Sequence, residues 1–324
     1  MISYEHKEKK EISENFLLMR RLIRMKVKKF IKKALPSNLY GKIRDYCHSF
    51  SQFVAIKSIE QAVREQGFLR LVYKLEKIVP DITHQYSTFE LDTLYLTKKV
   101  RGQHAFQISL VQEAINILKS NAKDELTIVD IGDSAGTHIQ YIKSLFNCRN
   151  IRTVSINLDP EAVNKIRKKG FKAICARAEE IGDKYHITAD IFLCFQTLEH
   201  LMNPAEFLNK LSKTNCDLLV ITVPYLKSSR IGLYQIRNLT MQNLPRKKIM
   251  SAENTHIFEL SPEDLQLLFK FAGWSVAFER IYLQYPRKHW LRITKNYWRM
   301  FDFEGFYGVI LKKDSTWSKL YTDW

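Results

Sequence analysis

The stretch that decides the fold reads Thr127-Ile-Val-Asp-Ile-Gly-Asp-Ser-Ala-Gly-Thr-His138, and a helical pattern over residues 139–146 follows it. The apolar run before the first glycine predicts a buried strand. Glycines let a backbone turn sharply and approach a ligand closely, while the start of the next helix presents free N–H groups. The stretch therefore predicts a strand, a ligand-binding loop and a helix. A Gly-x-x-x-Gly loop alone does not specify the ligand.

Short β-branched runs alternate with amphipathic helical stretches beyond this point. The predicted strands cover residues 126–131, 151–158, 171–176, 191–195, 218–223 and, near the end of the chain, 306–311. Strands that alternate with helices indicate crossover units and a parallel sheet. Ser261, followed by Pro262 and two acidic residues, predicts the start of a further helix. The predicted fold class is α/β, a doubly wound and mostly parallel sheet with an antiparallel edge strand.

The N-terminal part of the chain is basic. The whole chain has a net charge of +17, and residues 1–48 hold 13 Lys and Arg against five Asp and Glu. Apolar residues recur there at spacings of three and four, which predicts one helix with an apolar stripe and a basic face that ends at Pro36 and Ser37. The helix either packs on the protein with its basic face in solvent or lies, through residues 16–35, on an anionic membrane surface. Nucleic acid is a further partner that such a charge allows.

The sequence divides into four predicted parts: a basic amphipathic helical segment over residues 1–48, a helical extension over 49–100, an α/β core over 101–285, and an aromatic-rich C-terminal strand and tail over 286–324. Five cysteines without a CxxC pair fit neither a disulfide framework nor a zinc site, which favours a reducing, cytoplasmic location. No apolar run approaches the roughly 20 residues of a membrane-spanning helix. We therefore expect a cytoplasmic protein, peripheral at the membrane where residues 16–35 bind it.

The motifs after the glycine loop give the resemblance. The second strand runs into Asn157-Leu-Asp159, the third leads to Ala178-Glu179, and the fourth is followed by Leu198-Glu-His-Leu201. In this order and spacing, about residues 100–280 resemble class I S-adenosylmethionine-dependent methyltransferases, in the branch with a Leu-Glu-His-Leu signature that includes ubiquinone-pathway O-methyltransferases. The resemblance implies a Rossmann-like sheet and S-adenosylmethionine as the cofactor. The cofactor-lining residues that it implies are Asp130, Gly132, Asp133, Ser134, Gly136, Asn157, Leu158, Ala178, Glu179 and Phe195.

Two positions depart from the family pattern. Asn157 stands where the family usually places a ribose-binding acid, and Arg177 stands where an Asp often contacts the adenine. Asn can still bond a ribose hydroxyl, but as a neutral partner. These departures keep open a degenerate cofactor pocket, in which the chain would be a non-catalytic binding protein.

The Glu-His pair after the fourth strand is the predicted catalytic pair. His200, with Glu199 beside it, falls where the acceptor arrives, and His is the usual general base near neutral pH. The alternative is structural, since the pair could cap the helix that begins near Asn203 and Pro204.

Some relatives, among them small-RNA terminal methyltransferases, place Glu-x-x-Glu-His after the fourth strand and add a later His to bind a divalent cation. The corresponding residues here are Gln196, Glu199, His200 and His256. Gln196 replaces the first acid, so a cation such as Mg²⁺ would be held with less charge. Alternatively, His256 orders the start of the helix at Ser261.

The predicted reaction is methyl transfer to an oxygen of a small molecule, a glycan or a lipid-linked sugar precursor. The cations and tyrosines of residues 225–255 suit a phosphorylated, carboxylated or sugar acceptor, and equally a solvated loop. RNA methylation is the competing reaction, since it fits the net charge and the predicted cation ligands.

Overall fold

The computed structural model describes residues 37–86, 90–118, 125–147, 150–182, 184–232, 255–301 and 303–321. The chain forms two compact units, residues 1–54 and 55–324. The predicted basic helix and membrane contact over residues 16–35 lie outside the described residues, as does most of the predicted acceptor cover over 225–255.

Helices and strands alternate as the sequence predicts. The helices are α1 (Ser37–Glu65), α2 (Leu69–Ile78), α3 (Leu94–Leu118), α4 (Thr137–Leu145), α5 (Pro160–Lys168), α6 (Pro204–Lys213), α7 (Pro262–Phe271) and α8 (Lys295–Phe301). The strands are β1 (Glu125–Ile131), β2 (Asn150–Asn157), β3 (Ala173–Cys175), β4 (Ile191–Phe195), β5 (Leu218–Pro224), β6 (Arg230–Ile231), β7 (Phe258–Glu259), β8 (Trp274–Leu283) and β9 (Gly305–Lys313).

Seven strands form one sheet in the order β3-β2-β1-β4-β5-β9-β8. The first five of these are parallel, whereas β9 runs antiparallel to β5 and β8 antiparallel to β9. This confirms the predicted α/β fold with an antiparallel edge. The strand order reverses between β1 and β4, and in such sheets ligands bind in the crevice at the carboxyl ends of these strands.

The central strands are buried on both faces. Along β4, Ile191, Leu193 and Phe195 join one apolar core with α3, while Phe192 and Cys194 join a second core with α6 and α7. This alternation follows from the two-residue period of a strand. It explains why the central strands read as continuous apolar runs.

The helix that was predicted to end at Pro36 and Ser37 lies outside the described residues, and Ser37 begins α1, which continues past residues 48 and 49. The edge of the sheet differs from the sequence-based prediction. The strand β8, which the sequence did not predict, is a second antiparallel strand at the sheet edge. No helix in the described part of the chain combines the length and apolarity that crossing a bilayer requires.

Candidate active site

The glycine loop between β1 and α4 is held in a conformation that favours glycine. Gly132 has φ 92°, and its N–H donates to Ile156 O at 2.8 Å, which ties the loop to β2. A Cβ at this position would lie 2.2 Å from Thr197 Oγ1. Gly136 has φ 73° and precedes the first turn of α4. The loop therefore brings backbone close to the end of β4, as a cofactor-binding loop must.

The buried side chain of Asp133 fixes the conformation of the glycine loop through hydrogen bonds. One carboxylate oxygen accepts from Gly136 N at 3.0 Å and the other from Ser155 Oγ at 3.1 Å, and the side chain is buried. Burial and the nearby charge of Asp130 raise the pKa of Asp133 to about 6, against the opposing influence of His138. Asp133 is thus a loop-fixing residue whose ionisation is costly.

A buried polar network lies beneath the loop. His138 Nδ1 is 3.1 Å from Asp130 Oδ2, and its Nε2 is 3.1 Å from Gln107 Oε1. The amide nitrogen of Gln107 donates to Thr222 Oγ1, so the amide oxygen is the atom that faces His138. Both imidazole nitrogens of His138 therefore face acceptors, Asp130 Oδ2 and Gln107 Oε1. Burial lowers the pKa of His138, but the hydrogen bond to Asp130 and the charge of that carboxylate raise it more, and the net pKa is raised. The geometry fits a cationic His138.

Asp130 keeps one buried oxygen, Oδ1, without a hydrogen-bond partner among the described residues. The carboxylate lies near the end of β1, two residues before Gly132 and beside the cationic imidazole. A buried polar oxygen without a partner is costly, and a ligand donor is one way to satisfy it. The position fits the predicted role of Asp130 at the methionine end of the cofactor.

The remaining predicted cofactor residues line the same edge. The side chain of Asn157 accepts from Asp159 N at 2.8 Å and lies 3.3 Å from Asp133 O, so its amide joins the two loops. Ala178 and Glu179 form a 3-10 turn after β3, and Leu158 is exposed. Ser134 is half-buried, and Phe195 is buried with its ring 5.0 Å from that of His138. Their contact with a cofactor stays a prediction.

The second cluster follows β4 at the same edge. Ligand atoms of Glu199, His200 and His256 all lie within 4.8 Å of one another. His200 and His256 stand edge to face, with ring centroids 4.7 Å apart. Their two segments are joined by a hydrogen bond from His200 Nδ1 to Thr255 O at 2.9 Å, and these two residues are 55 positions apart in the sequence. The fold thus brings together three of the four predicted cation ligands.

Each imidazole of this cluster is oriented through its Nδ1. His200 Nδ1 donates to Thr255 O, and His256 Nδ1 faces Glu259 Oε1 at 2.8 Å. Glu259 is also paired with Arg230, and its pKa is lowered, because these hydrogen bonds outweigh the effect of burial. A histidine that donates from Nδ1 carries its lone pair on Nε2, which is the arrangement of a general base, or of a metal ligand whose ring is oriented by a carboxylate on the other nitrogen.

Glu199 is buried, and neither of its carboxylate oxygens has a hydrogen-bond partner among the described residues. Burial raises its pKa to about 7, against the opposing charge of His256. Its side chain lines a small cleft between the end of β5 and β7. An orphaned carboxylate here fits a cation or a ligand donor.

Gln196, the fourth predicted ligand, is directed differently. Its side-chain amide donates to Thr222 Oγ1 at 3.3 Å, and its backbone N–H donates to Thr222 O at 2.8 Å. The residue has φ 50°, a left-handed conformation that is uncommon outside glycine. Residues in such conformations cluster at functional sites, and Gln196 directly follows the carboxyl end of β4.

Three members of the buried network, Gln107, His138 and Thr222, were not predicted from the sequence. His138 stands two residues after Gly136 in the first turn of α4, and that position is the one signal that could have suggested it. Gln107 and Thr222 carry no local motif, since their partners come from other elements.

Comparison with known proteins identifies the class. Residues 129–214 match the family model described as a methyltransferase domain. The match begins in β1 and ends after α6, so it contains both the glycine loop and the Glu199–His200 pair. Over these residues the chain carries a methyltransferase domain, which makes it an enzyme. A search of curated proteins returned no match.

Solved structures with a similar fold include magnesium protoporphyrin IX methyltransferase from Synechocystis PCC 6803 with bound S-adenosylhomocysteine, at 11% identity and a TM-score of 0.45 over 78% of this chain and 99% of that chain. Another is 1,6-didemethyltoxoflavin-N1-methyltransferase from Burkholderia thailandensis, at 13% identity and a TM-score of 0.42 over 68% and 85%. A third is the Haloferax volcanii complex of the Trm112 activator with a methyltransferase, at 13% identity and 0.44 over 66% and 93%. Similarities of this size say nothing about the acceptor.

Proposed function

We propose that this enzyme transfers the methyl group of S-adenosylmethionine to a hydroxyl oxygen of a small molecule or glycan, including a lipid-linked sugar precursor. The observation that carries the proposal is the imidazole of His200, oriented by Thr255 O at the carboxyl edge of β4, beside the orphaned carboxylate of Glu199. In an open α/β sheet whose strand order reverses, as here between β1 and β4, ligands bind at the carboxyl ends of the strands. We therefore expect the cofactor and the acceptor to meet at this edge.

The chemistry of the cluster favours oxygen as the acceptor atom. A hydroxyl must lose its proton as the new bond to the methyl carbon forms, and the sulfonium then leaves as a neutral thioether. A neutral amine attacks with its own lone pair and needs less help from a base. A histidine with its lone pair on Nε2 provides the base that a hydroxyl requires, and such a base contributes about 10²–10⁴-fold in rate.

The test is transfer of labelled methyl groups from S-adenosylmethionine to hydroxyl-bearing acceptors, with nucleotide sugars and lipid-linked sugars in one set and amines in another. We expect His200→Gln to lower kcat by about 10²-fold or more while the Kd for S-adenosylmethionine stays unchanged. His186→Gln is the matched control, because His186 is exposed and lies in the segment that leads into the amino end of β4, away from the carboxyl edge. Labelling of amines alone, or full activity in His200→Gln, would contradict the proposal.

A divalent cation at Glu199, His200 and His256 is the alternative to His200 as the base, because an Nε2 lone pair that binds a cation does not accept a proton; the orphaned carboxylate of Glu199 favours it. The residues fit such a group, since one carboxylate and two oriented imidazoles converge. When bound, a cation would polarise the acceptor hydroxyl and favour its deprotonation. Imidazole ligands suit Zn²⁺ or Fe²⁺ better than Mg²⁺, which prefers oxygen ligands.

Calorimetric titration with Zn²⁺, Mn²⁺ and Mg²⁺ tests the cation separately from activity. We expect binding that is lost in Glu199→Gln and retained in Glu263→Gln, a change of the same type at an exposed position of α7. Equal binding by both variants, or none by the parent protein, removes the cation from the proposal and leaves His200 as the base. Methylation of RNA in place of the small acceptors would select the competing substrate class.

A further inference from the structure

The connection between β8 and β9 carries a second feature of the carboxyl edge. Leu283 at the end of β8 pairs with Gly305, and Phe306 pairs with Pro224 at the carboxyl end of β5. The residues between Leu283 and Gly305 therefore emerge at the same edge as the candidate active site. Phe303, in this connection, stacks on His256 with ring centroids 5.4 Å apart.

Two large apolar side chains project from this connection. Trp290 is 66% exposed and Ile293 is 67% exposed, and both belong to the 3-10 turn Trp290–Thr294. The turn itself is anchored, since Leu291 is buried and Thr294 Oγ1 lies 2.7 Å from Ser58 Oγ. A fixed turn thus holds an indole and a branched aliphatic chain out toward solvent.

Positive charges surround the two apolar side chains. Arg287, Lys288 and Arg292 are exposed, and within the described ranges none of them forms a side-chain ion pair. The nearest carboxylates serve other groups: Glu65 accepts from the backbone N–H groups of Arg287 and Lys288, and Glu304 pairs with Arg299.

The positive charge of this rim extends to the start of α8. Partial desolvation and the positive charges of Arg299, Lys227 and Arg292 lower the pKa of Lys295, against the attraction of Glu304. The cations are therefore in excess over the carboxylates at this place. An excess of positive charge around exposed apolar groups favours binding to an anionic surface.

We propose that the turn Trp290–Thr294, with the cations of residues 287–299 around it, is the docking surface for an anionic lipid bilayer. An indole and an aliphatic chain at the tip would enter the headgroup boundary while Arg and Lys bind the anionic headgroups. A nucleic acid would use the cations but leave Ile293 without a role. Docking through this turn directs the crevice of the sheet toward the bilayer. It does not depend on which acceptor the enzyme methylates.

The protein offers an internal control for this surface. Trp317 is 48% exposed and lies with Phe271 and Tyr321, ring centroids 6.1 and 6.2 Å from the Phe271 ring, near the start of β8. That place is the opposite edge of the sheet, because the start of β8 pairs with the end of β9. Lys270 lies over the Trp317 ring at 5.6 Å, so this second patch is also aromatic and basic.

The test is sedimentation of the full chain with vesicles of phosphatidylcholine alone or enriched in phosphatidylglycerol. We expect binding to the anionic vesicles that falls at least tenfold in the double variant Trp290→Ala with Ile293→Ala. Binding by the variant Arg287→Gln with Arg292→Gln should fall by about tenfold or more, since each cation close to an anionic membrane adds to the attraction. Trp317→Ala should bind like the parent protein. Thermal melts confirm that each variant is folded.

Three outcomes would overturn the proposal: no binding of the parent protein to anionic vesicles, unchanged binding of the Trp290 and Ile293 variant, or a loss confined to Trp317→Ala. Quenching of tryptophan emission by brominated lipid gives a second readout. Relative to the parent protein, the quenched fraction of the tryptophan emission should fall in Trp290→Ala and should not fall in Trp317→Ala.

Discussion

Asp133 shows how a single residue couples the loop to pH. Its carboxylate accepts hydrogen bonds from Gly136 N and Ser155 Oγ, yet burial and Asp130 raise its pKa to about 6 from an ordinary value of 3.8. Between these two pKa values the folded state holds a proton on this group that the unfolded state has lost. The contribution of Asp133 to stability is therefore largest below about pH 4 and falls as the pH rises toward 6.

We predict that Asp133→Asn removes this dependence. The shift of about two pKa units corresponds to about 3 kcal/mol at most, so the parent protein should lose stability relative to Asp133→Asn as the pH rises from 4 to 6. The asparagine keeps an oxygen for Gly136 N and removes the charge. Thermal or urea unfolding of both proteins across this range measures the difference. A constant difference in unfolding free energy would contradict the assignment.

At the residue scale, the sequence predicted part of the site. The glycine loop and the Glu199–His200 pair carry local motifs, because their function requires a tight turn or adjacent side chains. The network of Gln107, His138 and Thr222 joins α3, α4 and β5 and has no local spacing to detect. The meeting of His256 with His200 was predicted, but only from the family resemblance; in the structure Ile257 N donates to Glu199 O and holds the two segments together.

At the element scale, the edge strand β8 is protected by one side chain. Gln66, directly after α1, accepts from Leu283 N at 2.9 Å and donates to Leu283 O at 2.7 Å. Its amide therefore bonds the strand edge as a neighbouring strand would. Exposed edges pair with other chains, and such a cap, together with the register shift between Val276 and Phe278, limits that pairing.

We predict that Gln66→Ala lowers the free energy of unfolding by about 2 kcal/mol, because it leaves two partly buried backbone groups of Leu283 without partners. Gln266→Ala on α7 is the control, since its amide bonds the exposed Glu279 and should cost about 0.5 kcal/mol or less. Urea unfolding compares them. Equal losses in the two variants would show that the cap adds no stability.

The elements that the sequence predicted are those buried on both faces. The apolar runs of β1, β2, β4 and β5 indicate strands because a short, continuous apolar run is typical of a parallel strand that is buried on both faces. The strand β8 escaped prediction because its half-buried and exposed residues, among them Ser275, Glu279 and Arg280, mix polar and apolar types. The strand β3 is also shorter than predicted, three residues where the pattern covered 171–176.

At the scale of the whole molecule, one sheet edge collects the functional features. The carboxyl ends of β1 and β4 hold the glycine loop and the histidine cluster, and the β8–β9 connection adds the basic turn. The sequence predicted the parallel sheet and hence this common edge for the first two. It did not predict that the β8–β9 connection lies at this edge, because residues 286–324 were predicted as a separate C-terminal strand and tail.

The central claim is that the glycine loop binds S-adenosylmethionine, and calorimetric titration with S-adenosylmethionine and S-adenosylhomocysteine tests it most directly. The informative pair is Gly132→Ala and Gly170→Ala, at φ 92° and 81°, because a Cβ meets Thr197 Oγ1 at 2.2 Å in the first and nothing within 4 Å in the second. Both variants bear the cost of the left-handed conformation, about 1–2 kcal/mol of stability.

We predict micromolar binding by the parent protein and by Gly170→Ala, and a Kd at least about 100-fold weaker in Gly132→Ala, which corresponds to roughly 2.7 kcal/mol. Cooperative melts show that each protein is folded. No heat from the folded parent protein, or equal Kd values in the two glycine variants, would contradict the claim.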